Sequence, residues 1–187
     1  MLTVNFDPFP EIHTDRLTLR RMTTADLPRL FKLRNDPQII QNTDRPSSSD
    51  MSAVEALFNR MDQGINRNEN ITWGITFAQQ SELIGTSGFW RIDFAHHRAE
   101  IGYELLPEHW NKGIMTEALR AMLACGFSKM KIHSVEANIN PKNESSRAVL
   151  LKCGFVKEAY FRENYYANGQ FLDSEIYSLL ERDLRKS

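Results

Sequence analysis

A glycine-containing loop that runs into a helix is the part of this sequence best suited to chemistry. Between Glu108 and Leu119, Gly113 separates an alternating strand pattern from an amphipathic helical pattern. The first N–H groups of a helix have no acceptor within the helix and lie at the positive end of its dipole, so they attract anions. Gly113 also lets the backbone approach a ligand closely. The segment therefore predicts a phosphate-binding site made of main-chain amides.

The strand pattern upstream of this loop carries two carboxylates. Glu100, Gly102 and Glu104 alternate with apolar residues, so they share one face of the predicted strand. Carboxylates on either side of a glycine are suited to the floor of a binding site. The structural alternative is that Glu100 is solvated, or forms an ion pair with Arg98 on the same face.

The composition indicates one globular domain. The chain has 187 residues, 41% of them hydrophobic, with 23 basic and 24 acidic side chains, which is enough to bury a sizeable core. A near-neutral charge offers no footprint for nucleic-acid phosphates, so we expect no direct nucleic-acid partner. No apolar run approaches the length of about 18 residues that a membrane span requires, so we expect no membrane partner.

Cysteine and histidine usage favours neither a metal site nor a disulfide framework. Cys125 and Cys153 have no metal-ligand spacing, and two free cysteines fit a reducing cytoplasm. The adjacent His96 and His97 diverge in a turn and make a poor metal pair. The N-terminal segment lacks the basic region and apolar core of an export signal. We therefore expect a cytoplasmic protein without a metal.

The pattern of elements alternates along the chain without a long linker. The predicted elements are a strand at 17–19, a helix opened by a Thr23–Asp26 capping box and stopped by Asp36-Pro37, a helix across 54–61, strands at 72–78, 82–92 and 98–106, the helix after Gly113, a strand at 133–140, a short helix from Asn143 to Gly154, and strands at 155–167 and 170–180. An Asn168-Gly169 hairpin turn joins the last two strands. The short turns between 72 and 106 favour an antiparallel meander.

Several segments, in this order and spacing, resemble those of the GNAT acetyltransferase superfamily, and more narrowly its RimJ/RimL branch, which acetylates the N-termini of ribosomal proteins. They are Thr14-Asp15-Arg16-Leu17-Thr18-Leu19-Arg20, Glu82-Leu83-Ile84-Gly85, Ala99-Glu100-Ile101-Gly102-Tyr103, Asn143-Glu144-Ser145-Ser146 and Cys153-Gly154-Phe155. The resemblance covers a core of residues 11–184 in one expected domain, 1–187. It implies the α+β (mixed α/β) GNAT fold, a mostly antiparallel sheet of about seven strands with about four flanking helices, splayed into a V-shaped acetyl-CoA cleft.

The sequence departs from the superfamily pattern at two places. The phosphate-loop pattern falls on residues 110–115, where Trp110 replaces a polar residue, Met115 replaces a small one, and Gly113 is kept. Main-chain amides hold a pyrophosphate, so the site survives these replacements. Many relatives place a proton-donating tyrosine where this chain has Leu150, whereas the ribosomal branch uses the serine that is Ser146 here.

The resemblance implies two groups of site residues. Those expected to bind acetyl-CoA are Leu105, Leu106, Trp110, Asn111, Lys112, Gly113, Ile114, Met115, Thr116, Asn138, Asn143 and Ser146. Those expected to act in catalysis are Glu100 and Ser146. The structural alternative for Asn143 and Ser146 is that they only cap the short helix.

The chemistry implied is the transfer of an acetyl group from a thioester to a primary amine, with a thiolate as leaving group. An α-amino group titrates at about 8, so a carboxylate suffices as base near neutral pH and contributes about a hundredfold or more. Glu100 is the favoured base, and Glu104 and Glu158 are the alternatives. Ser146 hydrogen-bonds the thiolate, and a main-chain N–H near Leu105 polarises the carbonyl.

Three functions follow. The first is an acetyl-CoA-dependent N-acetyltransferase acting on the N-terminal α-amino group of a protein, and the second is the same chemistry on a small amine. The third is a noncatalytic acyl-CoA-binding sensor, which the leucine at position 150 favours. The segment 36–50 and the Asn168-Gly169 hairpin are expected to rim the acceptor site, and their lack of an acidic cluster argues against polyamines. The sequence does not decide whether the protein forms a homodimer.

Overall fold

The computed structural model describes residues 2, 4–43, 47–48 and 50–184, and its central feature is an eight-stranded sheet in the order β1-β2-β3-β4-β5-β6-β8-β7. The strands are β1 Ile12–His13, β2 Leu17–Arg20, β3 Ile71–Phe77, β4 Gly85–Asp93, β5 Arg98–Leu105, β6 Ser134–Ile139, β7 Val156–Ala167 and β8 Gln170–Leu180. The helices are α1 Leu27–Asn35, α2 Pro37–Asn42, α3 Met51–Asn66, α4 Ile114–Ser128, α5 Glu144–Lys152 and α6 Glu181–Leu184, with short 3₁₀ turns at Thr24–Asp26 and Pro107–His109.

The sheet opens in its middle. β5 and β6 are parallel, and their pairing in the described residues runs from Arg98 opposite Ser134 to Glu100 opposite Glu136. Beyond Glu100 the two strands separate, whereas the other neighbouring strands are antiparallel. The mostly antiparallel, splayed fold that the resemblance implies is therefore confirmed.

Side-chain alternation fixes which face of β5 is buried. Ala99, Ile101 and Leu105 are at most 7% exposed and pack into the main core, whereas Gly102 is exposed. A slip of one residue would exchange these two faces, so the apolar set specifies the register. The predicted core stripe of α4 is also buried, since Leu119 and Met122 are fully inaccessible to solvent.

The structure has more elements than the sequence pattern suggests. The additional ones are too short to show a clear periodicity. β1 has two residues, α6 has four and α2 has six. Pro37 ends α1, as predicted, but it also begins α2 as its first residue. The Asp36 side chain caps α2 by accepting from the N–H groups of Gln38 and Ile39. The segment expected to be a polar loop therefore begins as a helix.

None of the helices in the described ranges combines the length and the apolar character that crossing a bilayer requires.

Candidate active site

The separation of β5 and β6 creates a cleft of about 930 Å³. Its walls come from β5, the loop and first turn of α4, β6, α5, the end of α2 and the end of β7. Most of the expected site residues line it, namely Glu100, Leu105, Trp110, Asn111, Gly113, Ile114, Met115, Thr116, Asn138, Asn143 and Ser146. Residues from both halves of the chain thus converge on one site.

The α4 N-terminus offers main-chain donors to this cleft. Gly113 is the N-cap, adopts a left-handed φ of 73°, and makes no side-chain cap hydrogen bond. The N–H of Glu117 donates to the Gly113 carbonyl at 3.0 Å, which begins the helical ladder. The three preceding N–H groups, those of residues 114–116, have no acceptor within the helix. Because the side chains of Ile114 and Met115 are buried, their main chain is what these residues offer a phosphate.

The acidic residue in the first turn of α4 is held by residues near β2. The Arg16 guanidinium lies 2.6 Å from the Glu117 carboxylate, and the Thr14 hydroxyl donates to the same carboxylate at 2.6 Å. Burial raises the pKa of Glu117, but the hydrogen bonds from Thr14 and Arg16 outweigh it and hold that pKa below its usual range. Arg16 also donates to the Lys112 carbonyl at 3.1 Å. Arg16 thereby balances the negative charge of Glu117 in the first turn of α4. Its hydrogen bond to Lys112 holds the loop before that helix in place.

Two expected cofactor residues do not line the cleft. Leu106 is fully buried in the second core cluster, and its N–H donates to the Ile84 carbonyl at 3.0 Å. The Lys112 side chain turns back to donate to the Glu108 carbonyl at 2.8 Å. Leu106 lies just beyond the end of β5, where the second core cluster encloses its side chain, and a local hydrogen bond explains Lys112.

Trp110 connects the phosphate loop to β5. Its indole N–H donates to the Leu105 carbonyl at 2.7 Å, and its ring packs against both core clusters. The tryptophan that replaces the usual polar residue therefore positions the loop. Because Leu106 donates toward β4, the alternation of an antiparallel ladder turns the N–H and carbonyl of Leu105 toward the opposite edge, which faces the cleft.

Glu100 lies at the vertex of the cleft, where β5 and β6 separate. Its side chain is 15% exposed and lies 3.5 Å from the Arg91 guanidinium. Burial raises the pKa of Glu100, Arg91 opposes that shift, and the neighbouring Glu136 carboxylate adds to it. The net effect is a carboxylate of increased basicity. The considered ion pair with Arg98 is not formed, because Arg98 pairs with Glu136 at 2.6 Å.

The two alternative bases lie in different surroundings. Glu104 lines the cleft, but the Arg34 guanidinium lies 2.8 Å from its carboxylate, and both side chains are largely buried. Glu158 is exposed on β7, beside a bulge that interrupts the pairing with β8, and it does not line the cleft. Of these three carboxylates, Glu100 is the one at the vertex of the cleft.

The start of α5 combines a structural cap with a cleft wall. The Asn143 side-chain oxygen accepts from the Ser146 N–H at 3.0 Å, and its side-chain nitrogen donates to the Asn42 carbonyl at 2.7 Å. Capping is thus present, and the same asparagine joins α5 to the end of α2. The Ser146 hydroxyl lies 2.6 Å from the Tyr103 hydroxyl. Leu150 is fully buried in the main core, away from this group.

Three residues at the site escape the sequence patterns. Tyr103 is one of the positions that alternate with Glu100, Gly102 and Glu104, so the pattern groups it with the apolar residues of the strand, yet its hydroxyl reaches α5. Arg16 and Asn42 are each about a hundred positions from the residue they contact, at Glu117 and Asn143. Alternation gives the direction of a side chain but not its distant partner, so no local signal identifies these contacts. In the described part of the chain, His, Cys, Asp and Glu form no cluster suited to a metal ion.

Comparison with known proteins agrees with this geometry. Residues 16–156 match the model of the acetyltransferase (GNAT) domain. The chain is 33% identical over 173 residues to the uncharacterized N-acetyltransferase YoaA of Bacillus subtilis (strain 168), covering 92% of this chain and 98% of that protein. It is 31% identical over 179 residues to the putative ribosomal N-acetyltransferase YdaF of the same organism, covering 90% and 93%.

A solved structure shares the fold. The spermidine N-acetyltransferase from Vibrio cholerae, in complex with CoA and spermine, superposes with a TM-score of 0.81 at 24% identity. The match covers 92% of this chain and 99% of that one. At this identity the likeness establishes a common fold, so the acceptor has to be inferred from the cleft of this chain.

Proposed function

The chain belongs to the GNAT acetyltransferase family and is an acetyl-CoA-dependent N-acetyltransferase, and from that premise we propose that its acceptor is the N-terminal α-amino group of a polypeptide. The observation that carries this proposal is the charge balance of the cleft. Glu100 and Glu104 are the carboxylates that line it in the described residues, and each faces an arginine, Arg91 or Arg34. A polyamine is a polycation and needs several carboxylates that are not already matched by cations.

The ionisation of the acceptor supports an α-amine as well. An α-amino group titrates at about 8, whereas an alkyl ammonium such as that of lysine titrates at about 10.4. At neutral pH the α-amine is therefore far more often present as the free base that can attack a thioester. One carboxylate of raised pKa, such as Glu100, is a sufficient base for such an amine.

Two parts of the fold are suited to bind acetyl-CoA, namely the start of α4 and the edge of β5. The N–H groups of the first turn of α4 fit the pyrophosphate, because Gly113 leaves that helix start without a side-chain cap. The free edge of β5 fits the pantetheine amides as an added strand, and the N–H of Leu105 is available to polarise the thioester carbonyl. Leu106 and Lys112 have no part in this arrangement, since neither lines the cleft.

Glu100 and Ser146 act on opposite sides of the reacting carbon in this proposal. Glu100 accepts the proton that the amine nitrogen loses as the N–C bond forms. Ser146 donates a hydrogen bond to the sulfur that receives the electron pair of the breaking C–S bond. A thiol titrates at about 8.5, so the thiolate leaves as an anion and needs only this hydrogen bond. The proton on Glu100 and the thiolate then pass to solvent.

The proposal is tested by comparing acceptor classes at pH 7. Initial rates of CoA release are measured for short peptides with a free N-terminus, for spermidine, and for the same peptides with a blocked N-terminus. We expect the free peptides to give the highest kcat/KM and the blocked peptides to give no release. A higher kcat/KM for spermidine would assign the enzyme to small amines. Saturable acetyl-CoA binding without turnover of any amine would favour the noncatalytic sensor.

A further inference from the structure

We propose that Tyr103 is a positioning residue that turns the hydroxyl proton of Ser146 toward the thioester sulfur. This inference rests on the proposed role of Ser146 in acetyl transfer. The two hydroxyl oxygens lie 2.6 Å apart, one on β5 and the other in the first turn of α5. The hydrogen bond therefore joins the two walls of the cleft beside the expected reaction centre.

The neighbouring atoms favour one direction for this hydrogen bond. If Tyr103 donates to the Ser146 hydroxyl oxygen, the serine proton is free to point into the cleft. If Ser146 donates instead, the phenolic proton is left facing the Ser146 carbonyl at 3.4 Å. That distance exceeds the 2.5–3.0 Å of an ordinary O–H···O hydrogen bond. With a thioester sulfur in the cleft, the first arrangement gives both protons a partner, because the phenol donates to Ser146 at 2.6 Å and the serine donates to the sulfur.

The protein environment keeps Tyr103 in its donor form. Burial raises the pKa of Tyr103, and this effect outweighs the opposing hydrogen bond with Ser146. The phenol therefore keeps its proton at neutral pH. The serine backbone is fixed too, because its N–H donates to the Asn143 side chain at 3.0 Å. Both ends of the hydroxyl pair are thus held in place before the cosubstrate binds.

In this proposal Tyr103 supplies the phenol that position 150 lacks, because the residue there is a leucine buried in the core. Leu150 is fully buried and its carbonyl accepts from the Phe155 N–H at 3.0 Å, so that position contributes nothing polar to the cleft. Tyr103 brings a phenol to the α5 wall of the cleft from β5, the opposite wall. Its hydroxyl contacts that of Ser146, and in this proposal its effect passes through the serine.

The test compares Tyr103→Phe with a matched control, Tyr177→Phe. Tyr177 is buried, and its hydroxyl donates to Glu175 at 2.9 Å outside the cleft lining. The assay uses whichever amine the wild-type enzyme acetylates fastest, so it does not depend on the acceptor class. We expect Tyr103→Phe to lower kcat about tenfold, the effect of one hydrogen bond. The Kd of acetyl-CoA stays within about twofold of wild type, and Tyr177→Phe retains full kcat.

A double variant separates positioning from a general structural effect. Since Tyr103 acts through Ser146, the double variant Tyr103→Phe with Ser146→Ala should be no slower than Ser146→Ala alone. Full kcat in Tyr103→Phe, or effects that multiply in the double variant, would overturn the inference while leaving the acceptor proposal intact. Full kcat in Ser146→Ala would overturn both this inference and the proposed role of the serine.

Discussion

Arg16 and Glu117 form an ion pair of 2.6 Å that joins the segment before β2 to the first turn of α4. The pair lies beside the helix start whose N–H groups we assign to the pyrophosphate. Glu117 would otherwise place a negative charge close to that site, and Arg16 additionally donates to the Lys112 carbonyl. We therefore expect the arginine to support anion binding in two ways, through its charge and through the position of the loop.

Removing this arginine should weaken cosubstrate binding. We expect Arg16→Ala to raise the Kd of acetyl-CoA about tenfold, since one lost charge-assisted contact corresponds to about 1.4 kcal/mol. Calorimetric titration measures this change. The control is Arg67→Ala, which breaks an exposed ion pair with Glu69 and should leave the Kd unchanged. An unchanged Kd in Arg16→Ala would remove the ion pair from the description of the binding site.

Gly113 provides a second test of the same site. Alanine in the left-handed region costs about 1–2 kcal/mol, and Gly113 has φ of 73°. We expect Gly113→Ala to lower the free energy of unfolding by that amount and also to weaken acetyl-CoA binding. Gly169 is the matched control, because its φ is 80° and it lies in the β7–β8 turn. Gly169→Ala should show a similar loss of stability with normal binding. Equal binding by both variants would contradict the role of this loop.

Local patterns predicted the parts of the fold that depend on neighbouring residues. The Asn168-Gly169 turn has φ angles of 51° and 80°, as an Asn-Gly hairpin requires. Gly154 ends α5 with φ of 90°, as expected of a glycine after a helix. Each of these features depends on the conformational preferences of two or three adjacent residues, which the sequence displays directly.

Contacts between distant segments could not be predicted in the same way. Tyr103 on β5 and Ser146 on α5 meet across the cleft that opens where the parallel pairing of β5 with β6 ends. The family resemblance predicted the cleft and most of the residues that line it. It also assigned Leu106 to the cofactor site, whereas that residue lies just beyond the end of β5 and is buried in the second core cluster.

Glu100 is expected to be the base. Glu100→Gln should lower kcat about a hundredfold with an unchanged Kd for acetyl-CoA, because the amide cannot accept the amine proton. Initial-rate and binding measurements on the same preparation separate the two parameters. Glu158→Gln is the control and should retain full activity, since that side chain is exposed on β7. A normal kcat in Glu100→Gln together with a slow Glu104→Gln would transfer the role to Glu104.

The raised pKa of Glu100 also predicts how stability varies with pH. Burial makes the folded protein hold this proton to a higher pH than the unfolded chain does. Stability is therefore lost as pH rises from the ordinary value, about 4.3, through the raised folded value. Glu100→Gln lacks this loss, so its Tm should exceed that of wild type at pH 7, with the gap closing at pH 4. A lower Tm for the variant at pH 7 would mean that Arg91 stabilises the ionised carboxylate.

Asn143 combines two roles that one pair of substitutions can separate. Asn143→Asp keeps the acceptor oxygen that caps α5 but loses the donor to the Asn42 carbonyl. Asn143→Ala loses both and should cost about 1 kcal/mol of stability. We expect Asn143→Asp to keep a higher Tm than Asn143→Ala, because it retains the cap, while its KM for the acceptor rises, because Asn42 and Asn143 both line the cleft. An unchanged KM in both variants would limit Asn143 to capping.

The most direct test of the account is the position of the acetyl group on a single acceptor. A peptide that carries both a free N-terminus and an internal lysine is incubated with the enzyme and acetyl-CoA at pH 7, and fragment masses locate the modification. We predict acetylation of the α-amino group, with Glu100→Gln giving little product in the same time. Acetylation of the lysine alone, or an unmodified peptide beside rapidly acetylated spermidine, would contradict the proposal that this cleft serves polypeptide N-termini.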